Sequence, residues 1–237
     1  MIKIIGCSVF KNKLEEILEK NSLKFDVEFI SMKNHLDPEK LKDKIRDEII
    51  KAENDPNNKY KKIILLYGLC GNSTVGLSST LPLVIPKVHD CCSIFLGSSK
   101  QFYELFETKL SSEWYTSDYL EEMEKIKEED PNFNMAYTTL KLEYLINKYG
   151  EDNGNYLYET FTAMEKEIIF IKTSNKNDEA NIKKLSKQYC SLEIMEGGFQ
   201  LLNDIVMERY NEEILYLNSG EKICCTYDIN VIEGKWQ

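Results

Sequence analysis

Three cysteines stand just beyond short apolar runs. Cys7 follows Ile2-Lys3-Ile4-Ile5-Gly6, and Cys70 follows Ile63-Ile64-Leu65-Leu66-Tyr67-Gly68-Leu69. Cys91 follows Leu83-Val84-Ile85-Pro86 by way of Lys87-Val88-His89-Asp90. Such runs read as buried strands of a parallel sheet. Parallel strands point one way, so residues past their C-terminal ends meet in the crevice where such folds bind ligands. Three thiols delivered there suit a soft metal ion, an iron–sulfur cluster or a reactive thiol.

The segment Tyr67-Gly68-Leu69-Cys70-Gly71-Asn72-Ser73-Thr74-Val75-Gly76 is the most distinctive in the chain. Gly68 and Gly71 permit close backbone approach and positive φ, and exposed N–H groups of such a loop cradle an anion or the sulfides of a cluster. The segment lacks the lysine and spacing of a P-loop. A tight turn with a buried thiol is the plainer alternative. In Pro86-Lys87-Val88-His89-Asp90-Cys91-Cys92, the two cysteines fall in the first turn of a predicted helix, where the dipole favours a thiolate. Cys91 is the expected ligand and Cys92 the packed neighbour. His89 is a candidate ligand or base. Asp90 is a helix cap, or a group that contacts a cofactor or orients His89. His35, in the loop after the second strand, is a candidate ligand or proton donor, or an exposed loop histidine. Asn72 is a candidate for orienting substrate. The aromatics Phe102, Tyr103, Phe106, Trp114, Tyr115 and Tyr119 line a pocket or, at helical spacing, fill a core. Cys190, Cys224 and Cys225 read as structural.

These residues must be held by a recognisable series of elements. Residues 2–6, 25–31, 61–67 and 82–86 read as strands, with helices over 11–20 and from Pro38 to about Glu53. Asp37 before Pro38 is a helix start signal. Asp90 is expected to cap a helix from Cys91 to Leu96 that Gly97 ends. From Lys100 to Glu165 the pattern is almost wholly helical, with apolar faces at Tyr119, Leu120 and Met123, at Tyr137, Leu140, Tyr144 and Leu145, and from Tyr156 to Met164. Strands follow at 167–173, 191–195 and 213–217, with helices from about Glu179 to Tyr189 and at 199–209. The expected architecture is a single α/β domain over 1–237. It is a three-layer sandwich whose mainly parallel, doubly wound sheet comes from two βαβ halves, 1–99 and 166–237, with a helical insert at 100–165.

Composition narrows the function classes. The chain is 42% hydrophobic and 30% charged, as a soluble globular protein is. A formal charge of −10, with arginine only at Arg46 and Arg209, argues against nucleic acid as the partner. No apolar stretch is long enough to span a bilayer, and the apolar start is too short for a signal peptide. A cytoplasmic protein is therefore expected. Seven cysteines, an odd number without Cys-x-x-Cys spacing, do not suggest a disulfide framework or a local zinc knuckle. Any metal site must be assembled from distant positions.

The segments YGLCGNSTVGL, LVIPKVHDCCSIFLGS, WYTSDYLE, KYGEDNGNYLYET and MKNHLDPEKLKDKI together resemble a prokaryotic family catalogued as domain-of-unknown-function family 1638. In that family's pattern, cysteines fall at positions matching Cys7, Cys70 and Cys91, and a histidine at His35. Lys87 stands where arginine is usual, which weakens a bidentate anion clamp. Asn218-Ser219-Gly220 replaces a frequent Pro-Pro-Gly. The resemblance implies a context of corrinoid-dependent methyl transfer, without a reaction.

The leading expectation is an enzyme in which Cys7, Cys70 and Cys91 hold a [4Fe–4S] cluster, or alternatively zinc, with one open position for a small-molecule substrate. His89 or His35 would be the acid–base partner. The alternatives are a non-catalytic binder of small anions and an accessory protein that docks on a methyltransferase or corrinoid carrier.

Overall fold

The computed structural model describes residues 1–57, 59–106, 109, 112–131, 142–163 and 167–236. The first half runs β1 (Ile2–Cys7), α1 (Lys11–Lys20), β2 (Asp26–Ile30), α2 (Pro38–Glu53), β3 (Lys62–Leu66), β4 (Leu83–Pro86) and α3 (Cys91–Leu96). The middle holds α4 (Ser99–Phe106), β5 (Glu113–Tyr115), α5 (Ser117–Glu129), α6 (Leu142–Tyr149) and α7 (Glu151–Ala163). The last part runs β6 (Glu167–Lys172), α8 (Asp178–Gln188), β7 (Ser191–Glu196), α9 (Gln200–Val206), β8 (Ile214–Leu217), β9 (Lys222–Cys225) and β10 (Ile232–Lys235).

The expected α/β architecture with mainly parallel strands is what the chain adopts. A five-stranded sheet has the order β2-β1-β3-β4-β8. Its first four strands are parallel and β8 runs antiparallel to β4. β1, β3 and β4 are buried along nearly their whole length, as continuous apolar runs require when both faces are covered. β2, at the edge, is only partly buried. The helices turn one stripe each to the core: Leu14 and Ile17 from α1, and Leu41, Ile45, Ile49 and Ala52 from α2. Asp37 caps α2 by accepting from the Lys40 N–H, with Pro38 in the first turn, as the start signal predicts.

The later strands divide themselves in a way the pattern did not announce. β5, β6 and β7 form their own parallel sheet, and β8 leaves them to close the edge of the first sheet. Residues 113–115, expected to be helical, form the short strand β5. Trp114 and Tyr115 lie opposite Ile169 and Phe170 of β6, so tertiary pairing overrides the local helical signal. The tail is a hairpin of β9 and β10. The helix expected over 199–209 stops at Val206. Tyr137 and Leu140 lie outside the described residues. No helix among the described residues is long and apolar enough to cross a membrane.

One polar cluster joins the edge strand to its neighbour. Lys3 on β1 is nearly buried, and its Nζ lies 2.8 Å from Oδ1 of Asp26 on β2. Lys59 and the Tyr60 hydroxyl donate to the other oxygen. The Lys3 bond, then the Tyr60 bond, hold the Asp26 carboxyl well below the usual carboxylate range. Its stabilisation is therefore complete above the unfolded-state pKa near 4 and fades as pH falls through the folded-state value. Asp26→Asn should destabilise the fold by about 1–2 kcal/mol at neutral pH, since it leaves Lys3 without its carboxylate. In denaturant titrations the gap to wild type should narrow below about pH 4.

Candidate functional site

The chain leaves β1 for β2 on one side and returns past β1 to β3 on the other, so the winding reverses between β1 and β3. That reversal opens the crevice of a doubly wound sheet. Cys7 is the last residue of β1, while the loops carrying Cys70 and Cys91 leave β3 and β4 alongside it.

Those two loops are laced together by backbone. The Leu69 N–H donates to Val88 C=O and the Cys70 N–H to His89 C=O, both at 2.8 Å. Gly68 permits this approach, because a Cβ there would lie 2.7 Å from the Val88 oxygen and 2.8 Å from the Asp90 nitrogen. The chain then makes three successive residues of positive φ: Cys70 at 45°, Gly71 at 67° and Asn72 at 71°. Glycine adopts this freely, whereas Cys70 and Asn72 do so at a cost that the surrounding structure must hold in place. The Thr74 hydroxyl fastens the turn to the Gly68 carbonyl at 3.1 Å, and Gly71 abuts Pro38 at the start of α2.

Cys91 opens α3. Asp90 has the capping role, its Oδ1 accepting from the Cys92 N–H at 2.9 Å, and Gly97 ends the helix at φ 94°. Phe10, in the turn after Cys7, stacks on Phe95 of α3 with ring centroids 4.9 Å apart, which ties the Cys7 and Cys91 segments together.

The structure thus brings the three predicted cysteines into mutual electrostatic reach. Burial pushes the Cys7 thiol far above its usual range, and the Cys91 charge adds to that. Burial raises Cys70 likewise, reinforced by Cys91, then Cys7 and then Asp90. Cys92 shares a hydrogen bond with Cys91 and, with burial, is also pushed up. Tyr119 and Glu122 of α5 face the same region, Tyr119 sensing Cys91 and Cys92 and Glu122 sensing Cys7. All seven cysteines are free thiols. Among the described residues, no group of three or more His, Cys, Asp or Glu side chains is arranged to hold a metal ion as the side chains stand.

The other predicted residues fall at different distances from this centre. His35 lies in the one-turn helix Met32–Leu36 rather than an open loop, and its ring is 6.1 Å from that of Tyr67. Burial lowers its pKa to about 4, so the ring is neutral at pH 7. His89 is exposed, and its Nε2 is engaged by the Tyr103 hydroxyl at 2.6 Å. Asn72 is exposed on the strained turn. Phe102 is buried and packs against Trp114, while Tyr103, Trp114, Tyr115 and Tyr119 are partly buried. The side chain of Phe106 lies outside the described residues.

Tyr67 is the residue that sequence reasoning passed over as part of a strand. It is 1% exposed, and its hydroxyl has no hydrogen-bond partner among the described residues. The buried side-chain polar atoms without a partner among the described residues are the Tyr67 hydroxyl, His35 Nε2 and Ser73 Oγ. Tyr67 senses Cys7 and Cys70, His35 stacks near Tyr67, and Ser73 lies in the Cys70 turn. The three orphaned atoms thus lie in the Cys70 turn, at the end of β3 and on the His35 segment beside it. A tyrosine ending an apolar strand just before Gly68 is the signal that reveals this region, since a buried hydroxyl needs a partner.

The profile of a family described as protein of unknown function, DUF1638, matches residues 29–206. The chain belongs to the DUF1638 family. The matched span carries the Cys70 and Cys91 loops, His35, Tyr67 and His89, while Cys7 precedes it. No curated protein matches the chain. Among solved structures, the crystal structure of a sugar transporter from Clostridium phytofermentans is similar over 83% of this chain and 96% of its own. At 12% identity and a TM-score of 0.29, that likeness carries no argument for this DUF1638 protein.

Two measurements check this local geometry. Gly68→Ala should destabilise the fold by roughly 2–3 kcal/mol, because the added methyl meets backbone on the neighbouring loop. Gly71→Ala should cost nearer 1 kcal/mol, since it meets mainly the left-handed penalty. The His35 pKa lies below its unfolded value, so its contribution is complete above about pH 6.5 and is lost as pH falls toward 4. The loss is on the order of 3 kcal/mol, and His35→Gln should flatten the stability profile across that window.

Proposed function

We propose that this protein is a cytoplasmic enzyme in which Cys7, Cys70 and Cys91 hold a metal centre with one open position. The centre is a [4Fe–4S] cluster in preference to zinc, and its substrate is a small molecule of sulfur or methyl-group metabolism. The observation that carries this reading is three thiols within electrostatic reach of one another, near the buried Tyr67, His35 and Ser73 that lack partners among the described residues, at the switch point of the sheet. The donor set fits a soft or borderline cation, and the orphaned polar atoms fit a ligand beside it. Binding requires the side chains to turn toward one point and the thiols to lose their protons. When bound, either centre would supply a Lewis acid at its open position.

The chain's own residues then have distinct tasks. Three sulfurs rather than four leave a coordination position to the substrate. Tyr67 keeps its proton, because burial and the neighbouring cysteines push its pKa well up, and so it donates a hydrogen bond. His35, held neutral, offers or takes a proton at Nε2. Asn72 and the N–H groups of the left-handed turn border the rim, where Gly68 and Gly71 let backbone come close. Asp90 fixes the start of α3 and hence Cys91. His89, braced by Tyr103, is the outer acid–base group. The link to a corrinoid or methyltransferase partner belongs to the same proposal and rests on family context.

Anaerobic purification with elemental analysis tests the reading. The expected result is about four iron and four sulfide per chain with broad visible absorption, or about one zinc in a colourless protein. Cys7→Ser, Cys70→Ser and Cys91→Ser should each lower the metal content, while Cys190→Ser should not. Metal-free protein after anaerobic isolation and reconstitution would overturn it.

A further inference from the structure

A second site lies on the other parallel sheet. A cavity of about 350 Å³ opens beyond the C-terminal end of β6, lined by Thr173, Asn175 and Lys176, by Asn12 and Lys13 of α1, and by Asp118 and Glu121 of α5. Parallel strands deliver ligand-binding loops at this end, and the volume suits a small metabolite.

Its charges are unusual. Asp118 is 4% exposed and accepts from Asn12 Nδ2 at 2.9 Å, Thr173 Oγ1 at 2.7 Å and Asn175 Nδ2 at 3.4 Å. All three donors are neutral, so among the described residues this buried carboxylate lines the cavity without an ion pair. Glu121, one helical turn on, accepts from Asn177 Nδ2 at 2.9 Å and Asn12 Nδ2 at 3.5 Å, again neutral donors. Among the positive groups, Lys13 is paired with Glu16 at 2.8 Å. Lys176 is exposed and makes no ion pair among the described residues. Among the described residues Asp118, Glu121 and Lys176 make no ion pair, while the other charges lining the cavity, Lys13 and Glu16, pair with each other. A purely cationic ligand would meet the lysines, and a purely anionic one would meet the carboxylates.

We propose that this cavity binds a zwitterion of the α-amino-acid type, its ammonium on Asp118 and Glu121 and its carboxylate on Lys176. Charge-assisted bonds at both ends set the preference for a molecule carrying both groups. The site is distinct from the thiol centre and does not depend on it.

Isothermal titration of the full chain with each of the twenty standard amino acids tests this. A binder is then compared with the amine lacking its carboxylate and the acid lacking its ammonium. At least one amino acid should bind saturably, and each truncated analogue should bind about tenfold or more weakly. Glu121→Gln and Lys176→Met alter cavity-lining groups outside the packed core, so they should leave the ligand-free unfolding midpoint unchanged while each weakens binding about tenfold. Asp118→Asn should weaken it further. Cys70→Ser should leave it intact, which separates failure here from failure of the thiol reading. Absence of saturable binding by all twenty, or binding that survives both Glu121→Gln and Lys176→Met, would overturn the proposal.

Discussion

The hydrogen bonds between the loops after β3 and β4 are the constraint on which the candidate site depends. The Leu69 and Cys70 N–H groups donate to the Val88 and His89 carbonyls, and Gly68 is the residue whose missing side chain allows this approach. With the loops joined, Cys70 is carried into a left-handed turn and Cys91 is set at the head of α3. Cys7 needs no loop, because its strand lies between β2 and β3 and ends at the crevice. Three remote stretches of chain thus reach one edge through backbone geometry, and the side chains inherit their proximity.

Burial gives that proximity its chemical character. Thiols removed from water keep their protons, as does the Tyr67 hydroxyl, and His35 stays neutral. The second sheet carries a different lining at its own C-terminal edge, where carboxylates and lysines surround a cavity. α5 links the two regions, with Tyr119 and Glu122 toward the thiols and Asp118 and Glu121 toward the cavity.

Much of the first sheet was legible because its information is local. The apolar runs of β1, β3 and β4, the Asp37-Pro38 start of α2, and the Asp90 and Gly97 boundaries of α3 each follow from a few adjacent residues. That Cys7, Cys70 and Cys91 each stand at or beyond the C-terminal end of a strand was legible too, since each strand is an apolar run of its own. What escaped depends on distant partners. Residues 113–115 become a strand because β6 lies beside them, and β8 joins the first sheet through its pairing with β4. The burial of His35 beside Tyr67 has no local signature. Nor does the polar cavity, whose residues come from three segments with no shared motif.

The central claim is that the sulfurs of Cys7, Cys70 and Cys91 ligate one metal centre. Anaerobic reconstitution of the reduced, metal-free protein with iron and sulfide, run beside titration with cobalt(II), tests it most directly, because thiolate ligation of either metal has its own charge-transfer absorption. The account predicts one cluster, or one cobalt, bound per chain with an intense thiolate band that weakens in Cys7→Ser, Cys70→Ser and Cys91→Ser alike and persists in Cys190→Ser. Absence of that band with both metals, or a band indifferent to any of the three replacements, would contradict it.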